Sequence, residues 1–120
     1  YLQTSKAEGL GLPVLDAMCC KIPIVATDTG ALHELLWGTN EKPRGFCIQP
    51  EYTFTDVWGN SRRDMINIVV TADVLRQLSE GDTDRNQNAY EYVKTRTWNI
   101  PANQIDSKIK ELINESSISK

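Results

Sequence analysis

The sequence predicts an α/β fold built on a parallel sheet, and three observations carry that prediction. Short apolar runs bounded by turn residues alternate along the chain with segments of helical period. The run Ile24-Val25-Ala26-Thr27 is continuous rather than alternating, as expected of a strand covered on both faces. Two strand-like runs are each followed by a glycine-containing loop that leads directly into a helix-forming segment.

The elements follow in order. Tyr1–Thr4 reads as a first strand, already under way at the start of the sequence, with no signal segment before it. A loop from Ser5 to Gly11 ends at Pro13, which suits a first helical turn, and the helix runs to about Cys20. Lys21-Ile22-Pro23 breaks it, because proline cannot extend a helix. Ile24–Thr27 is the second strand, and Asp28-Thr29-Gly30 leads into a short helix from Ala31 to Trp37 that Gly38 ends. Gly45–Ile48 is the third strand, stopping at Pro50. Tyr52–Val57 followed by Trp58-Gly59-Asn60 suggests a hairpin excursion. Met65–Val70 fits either strand or helix, since short apolar runs do not discriminate. Thr71 is the expected N-cap of a helix from Ala72 to about Glu80, closed by Gly81. Further helices run from about Asp84 to Thr95 and from Pro101 onward, the last with Ile105, Ile109, Leu112 and Ile113 on one face. Ser116 to Lys120 reads as a frayed polar tail.

Composition narrows the classes. At 120 residues and 13.5 kDa the chain holds one small domain, and 40% apolar with 24% charged residues is the balance of a globular protein. Residues 1–60 carry 4 basic and 7 acidic groups and residues 61–120 carry 9 of each, so neither half is basic enough for nucleic acid. No apolar run approaches the roughly 20 residues of a membrane span. Three cysteines, two of them adjacent, do not make a disulfide framework or a zinc-ligand spacing, and they read as buried, reduced thiols of a cytoplasmic chain. His33 has no cysteine or second histidine near it in sequence, so it reads as an ordinary helix residue and no metal site is expected.

The chemistry concentrates between Ser5 and Asp28. A strand, a loop with Gly9 and Gly11 two apart, and a helix start together favour an anion such as a diphosphate, because the first turn of a helix leaves amides unpaired and its dipole attracts negative charge. Glycines let the backbone approach closely. Glu8 on the loop and Asp16 one turn into the helix suit hydrogen bonds from sugar hydroxyls flanking that anion. A nucleotide sugar meets both demands. The pattern is neither the dinucleotide fingerprint, which needs a third glycine where Val14 stands, nor a Gly-Lys-Ser/Thr phosphate loop. On pattern alone, a nucleotide loop and a plain strand–turn–helix corner stand level.

The same residues resemble a known family. Ser5, Glu8-Gly9, Gly11-Leu12-Pro13, Leu15-Asp16-Ala17-Met18, Cys20, Pro23, Thr27 to Gly30 and Glu34 are similar to the Glu-x7-Glu region of retaining glycosyltransferases of the GT-B fold. Seven residues separate Glu8 from Asp16. Gly45-Phe46, Pro50 and Tyr92 to Trp98 continue the likeness more weakly. The resemblance implies a Rossmann-like parallel sheet forming the second half of a C-terminal donor-binding domain over residues 1–115, truncated on its N-terminal side. It implies transfer of a sugar from a nucleotide-diphosphate sugar to an acceptor hydroxyl, with Glu8 on the transferred sugar, Asp16 on the ribose, and Gly9, Leu10, Gly11 and Leu12 against the diphosphate and sugar. No cofactor and no obligate metal are implied. The acceptor is unspecified, and the N-terminal domain and the Arg and Lys that neutralise the diphosphate would precede Tyr1, so these residues alone should be inactive and prone to self-association.

Departures from the family pattern are specific. Asp16 is one methylene shorter than the usual Glu, Leu10 replaces a common Phe, and Lys21 replaces a Gly, which makes a left-handed helix end costlier. Lys21 reads as solvated, Arg62 and Arg63 as a solvated face, Glu34 as complementing a helix dipole, and Trp37 and Trp98 as core or interface packing residues. The alternatives are a sugar-nucleotide epimerase with a related fold, against which the Glu8–Asp16 spacing argues, and a non-catalytic nucleotide-sugar-binding module.

Overall fold

The computed structural model describes residues 1–38, 42–78 and 83–118. Three parallel strands form the sheet in the order β1 (Leu2–Gln3), β2 (Val25–Thr27), β3 (Phe46–Ile48). Leu2 stands opposite Val25, and Val25, Ala26 and Thr27 stand opposite Phe46, Cys47 and Ile48. The fold is thus α/β with a parallel sheet. β2 lies in the middle, with all three residues buried, as its unbroken pattern requires.

Helices α1 (Leu12–Cys19) and α2 (Leu32–Trp37) connect the strands. Val14, Ala17 and Met18 from α1 and Leu32, Leu35 and Leu36 from α2 close over Ile24 and Ala26 to make the core. α4 (Thr83–Val93) adds Ala89 and Val93 to it and packs against α1. The end of α1 takes the left-handed turn: Lys21 has φ 55°, the Ile22 amide donates to the Ala17 carbonyl at 3.0 Å and the Lys21 amide to Met18 at 3.1 Å. Lys21 is not simply solvated, since its Nζ lies 4.5 Å from the centre of the Tyr90 ring and ties α1 to α4. Arg44 caps the other helix, donating from Nη1 to the Leu35 and Glu34 carbonyls at 2.9 and 3.1 Å. Its guanidinium stacks 3.7 Å from the centre of the Tyr92 ring, and burial draws its pKa below the usual arginine range.

The excursion after β3 is an antiparallel hairpin of β4 (Pro50–Thr55) and β5 (Arg62–Ile66), so Pro50 opens a strand as well as closing one. The ambiguous Met65–Val70 run divides: its first part finishes β5 and its last part begins α3 (Ile68–Leu78). The cap of α3 is Asn67, whose Oδ1 accepts from the Val70 amide at 3.0 Å. Thr71 instead lies inside the helix and donates its hydroxyl to the Asn67 carbonyl at 2.6 Å, correcting its assignment as the cap. The expected stop at Glu80–Gly81 lies outside the described residues.

α5 (Asn99–Ile118) begins two residues before Pro101 and keeps helical backbone three residues into the segment read as a tail. Ile105, Ile109, Leu112 and Ile113 are between 51% and 61% exposed. Two other expectations are corrected. Cys19 and Cys20 are exposed because they fall on the outer side of α1, away from Val14, Ala17 and Met18. Trp37 and Trp98 are exposed too, so of the two expected roles, core or interface packing, the core one is excluded. Among the described residues, no helix is long and apolar enough to cross a membrane.

Candidate functional site

The loops that leave the carboxyl ends of β1 and β2 meet at an open cleft of about 290 Å³, the place where open α/β sheets hold ligands. Ala7 and Glu8 come from the first loop, Asp28, Thr29 and Gly30 from the second, and Arg62 and Asp64 from β5. The two loops touch backbone to backbone. Gly30, at φ 53°, sits where a Cβ would lie 2.0 Å from the Glu8 carbonyl oxygen, so only glycine fits.

Glu8 is held firmly. Its Oε2 accepts from Gln3 Nε2 at 3.0 Å and Ser5 Oγ at 3.1 Å, and its Oε1 accepts from the Gly11 amide at 3.2 Å. Gly11 is the residue before α1 and is left-handed at φ 78°, with its α-carbon pressed toward Leu32. The helix start therefore offers fewer amides to a ligand than the sequence suggested, because Gly11 donates to Glu8 and Pro13 has no N–H.

The remaining expected site residues are placed differently. Gly9 is exposed with nothing near the position of a Cβ, and Leu10 and Leu12 are exposed. Asp16 is exposed on α1 and does not line the cleft. The structure thus brings Glu8 into the cleft without bringing Asp16 to its lining.

Arg62 and Asp64 were missed. Asp64 is only 4% exposed, and it fastens the hairpin to the sheet. Its Oδ2 accepts from Thr29 Oγ1 at 2.7 Å, its Oδ1 from Arg62 Nε at 3.0 Å, and its amide donates to the Lys6 carbonyl at 2.7 Å. Arg62 is exposed, but among the described residues it is the one basic side chain lining the cleft, not merely part of a solvated face. The available signal was their spacing: two residues apart in a strand share a face. Arg63 points to the hairpin's own turn and pairs with Asp56 at 3.2 Å.

Beside the cleft, His33 Nδ1 lies 2.8 Å from Asp28 Oδ1, and Gln49 Nε2 donates to the other Asp28 oxygen. Cys47 on β3 completes a cluster in which the three ligand-type atoms lie within 4.8 Å of one another. Burial pushes the Cys47 thiol well above its ordinary range, and the Asp28 carboxylate beside it adds to that. His33 therefore does have a cysteine neighbour, supplied by the fold from 14 positions away.

Residues 1–55 match the family of glycosyl transferases group 1. The stretch covers β1 through β4, including both cleft loops, and stops before Arg62 and Asp64. Over 42 residues the chain is 43% identical to the lipopolysaccharide core biosynthesis mannosyltransferase LpsB of Rhizobium meliloti (strain 1021). That stretch is 35% of this chain and only 12% of the mannosyltransferase's length. Both likenesses are to sugar-transferring proteins.

Proposed function

We propose that this chain is the donor-binding portion of a retaining glycosyltransferase that moves a sugar from a nucleotide-diphosphate sugar to an acceptor hydroxyl. The observation that carries the reading is the clamped Glu8 carboxylate at the mouth of a cleft beyond the strand ends, within the stretch that matches the family. Three donors fix its orientation, so it meets a sugar hydroxyl without first losing side-chain freedom. Arg62, steadied by Asp64, supplies positive charge in the lining of the same cleft. Asp16 takes the ribose from its exposed place on α1, and Gly9 to Leu12 border the diphosphate.

The test separates chemistry from binding. In the whole enzyme, Glu8→Gln should lower turnover about 10²–10³-fold while leaving nucleoside diphosphate affinity nearly unchanged. Asp16→Ala should do the reverse, weakening the nucleoside diphosphate about 10–100-fold by calorimetry. One second reading, a non-catalytic module that binds nucleotide sugars, rests on Asp16 itself, the shorter acid standing where the resembled family carries Glu. Tight nucleotide binding with no transfer to any acceptor would select that reading.

A further inference from the structure

We infer that Asp28, His33 and Cys47 form a binding site for a zinc-class divalent cation beside the cleft. They come from three different elements: the loop after β2, the first turn of α2, and the middle of β3. Their ligand atoms lie within 4.8 Å of one another, and the closest pair, Asp28 Oδ1 and His33 Nδ1, is 2.8 Å apart. Zinc bonds of about 2.0–2.3 Å in a tetrahedron separate ligand atoms by roughly 3.3–3.8 Å. The cluster brackets that spacing, and adjustments of about an ångström satisfy it. The half-exposed His33 ring is free to make the largest of them.

The donor set selects the ion. One imidazole nitrogen, one thiolate and one carboxylate oxygen suit zinc and its neighbours, whereas magnesium and calcium require oxygen throughout. Gln49 holds the second Asp28 oxygen by a hydrogen bond, leaving the first to coordinate as a single donor. Cys47 is anchored on the sheet beside Ile48, and its Sγ lies 4.0 Å from the Leu32 carbonyl, so α2 and β3 stay in register about the site. On binding, the Cys47 thiol gives its proton to solvent, and a water fills the fourth position. Because Asp28 also lines the cleft, the ion fixes the loop that carries Thr29 and Gly30.

Cobalt(II) serves as the probe, since a cobalt–thiolate bond gives a charge-transfer absorption in the near ultraviolet. The exposed Cys19 and Cys20 are first replaced by serine in the intact protein, and Cys47→Ser on that background then identifies the part of the band that comes from Cys47. One equivalent of cobalt should then produce the band, and zinc should displace it. Cys47→Ser should abolish the band and weaken zinc about 100-fold or more, and His33→Ala, at an exposed position that leaves folding intact, should weaken it at least 10-fold. No band in the doubly substituted protein, or zinc affinity unchanged in both single variants, would overturn the site. Neither measurement involves a sugar nucleotide, so the outcome is independent of whether the chain transfers sugar.

Discussion

Residues 1–48 and residues 99–118 both carry regular apolar patterns, and the fold uses them in opposite ways. In the first region every strand has a parallel neighbour and the apolar side chains of α1 and α2 are sealed over the sheet. In the second, α5 projects about 30 Å of helix with its apolar stripe in solvent, which is why the radius of gyration is 18.8 Å where a compact chain of this length gives about 14 Å. Apolar periodicity alone therefore does not tell core from surface. What separates the regions is whether a second element supplies the facing side chains.

The sharpest way to break that contrast lies where the two cleft loops meet. Gly30→Ala should cost about 4 kcal/mol, combining a left-handed alanine with a Cβ driven into the Glu8 carbonyl. Denaturant melts would read the loss, and a nearly unchanged midpoint would mean the loops are not packed as described. The next effect compares the regions directly. Leu36→Ala, at a fully buried position, should cost about 3 kcal/mol, while Ile109→Ala on α5 should cost less than about 0.5 kcal/mol. An Ile109 variant as damaging as the Leu36 one would show that the α5 stripe is covered in the intact protein.

The smallest effect belongs to the hairpin, which stands between the two extremes. The Trp58 amide and the Arg63 guanidinium hold the Asp56 carboxyl below the usual carboxylate range. A lowered folded-state pKa stabilises above the ordinary value near 4 and ceases to do so as pH falls through the folded one. The hairpin turn should therefore loosen only in acid. Amide exchange at Asp56 and Trp58 that stays flat from pH 6 to pH 3, after correction for intrinsic rates, would remove the Asp56 carboxylate from that role.

Much of this was readable from residue order, for identifiable reasons. The parallel sheet, α1, α2 and the hairpin were legible because glycine, proline and period each mark boundaries locally. Asn67 was overlooked as a cap because it falls in the middle of an apolar run that hid the change from strand to helix. Cys19 and Cys20 were misplaced because small apolar residues fit either side of a helix. Glu8 stood out through its glycine neighbours, and it lines the cleft. Asp64 and the Asp28–His33–Cys47 group stayed hidden, since Asp64 meets Thr29 across 35 positions and Cys47 reaches His33 only through the fold. Arg62 went unread beside Asp64 although the two share a strand face.

The fastening at Asp64 has a consequence for how this molecule can change. Two bonds, from Thr29 to Asp64 and from Asp64 to Lys6, fix the seating of the hairpin base, while Val57, Trp58 and Gly59 at the tip touch little else. Base and tip are thus mechanically separate. Residues inserted or exchanged at the tip leave the base anchored, so the tip can be rebuilt without disturbing Glu8. Changes at Thr29, Arg62 or Asp64 act otherwise, because Asp64 holds Lys6, two residues from Glu8, and any shift there is felt at that carboxylate. Variation in this chain should be freely accepted at the first place and strongly resisted at the second.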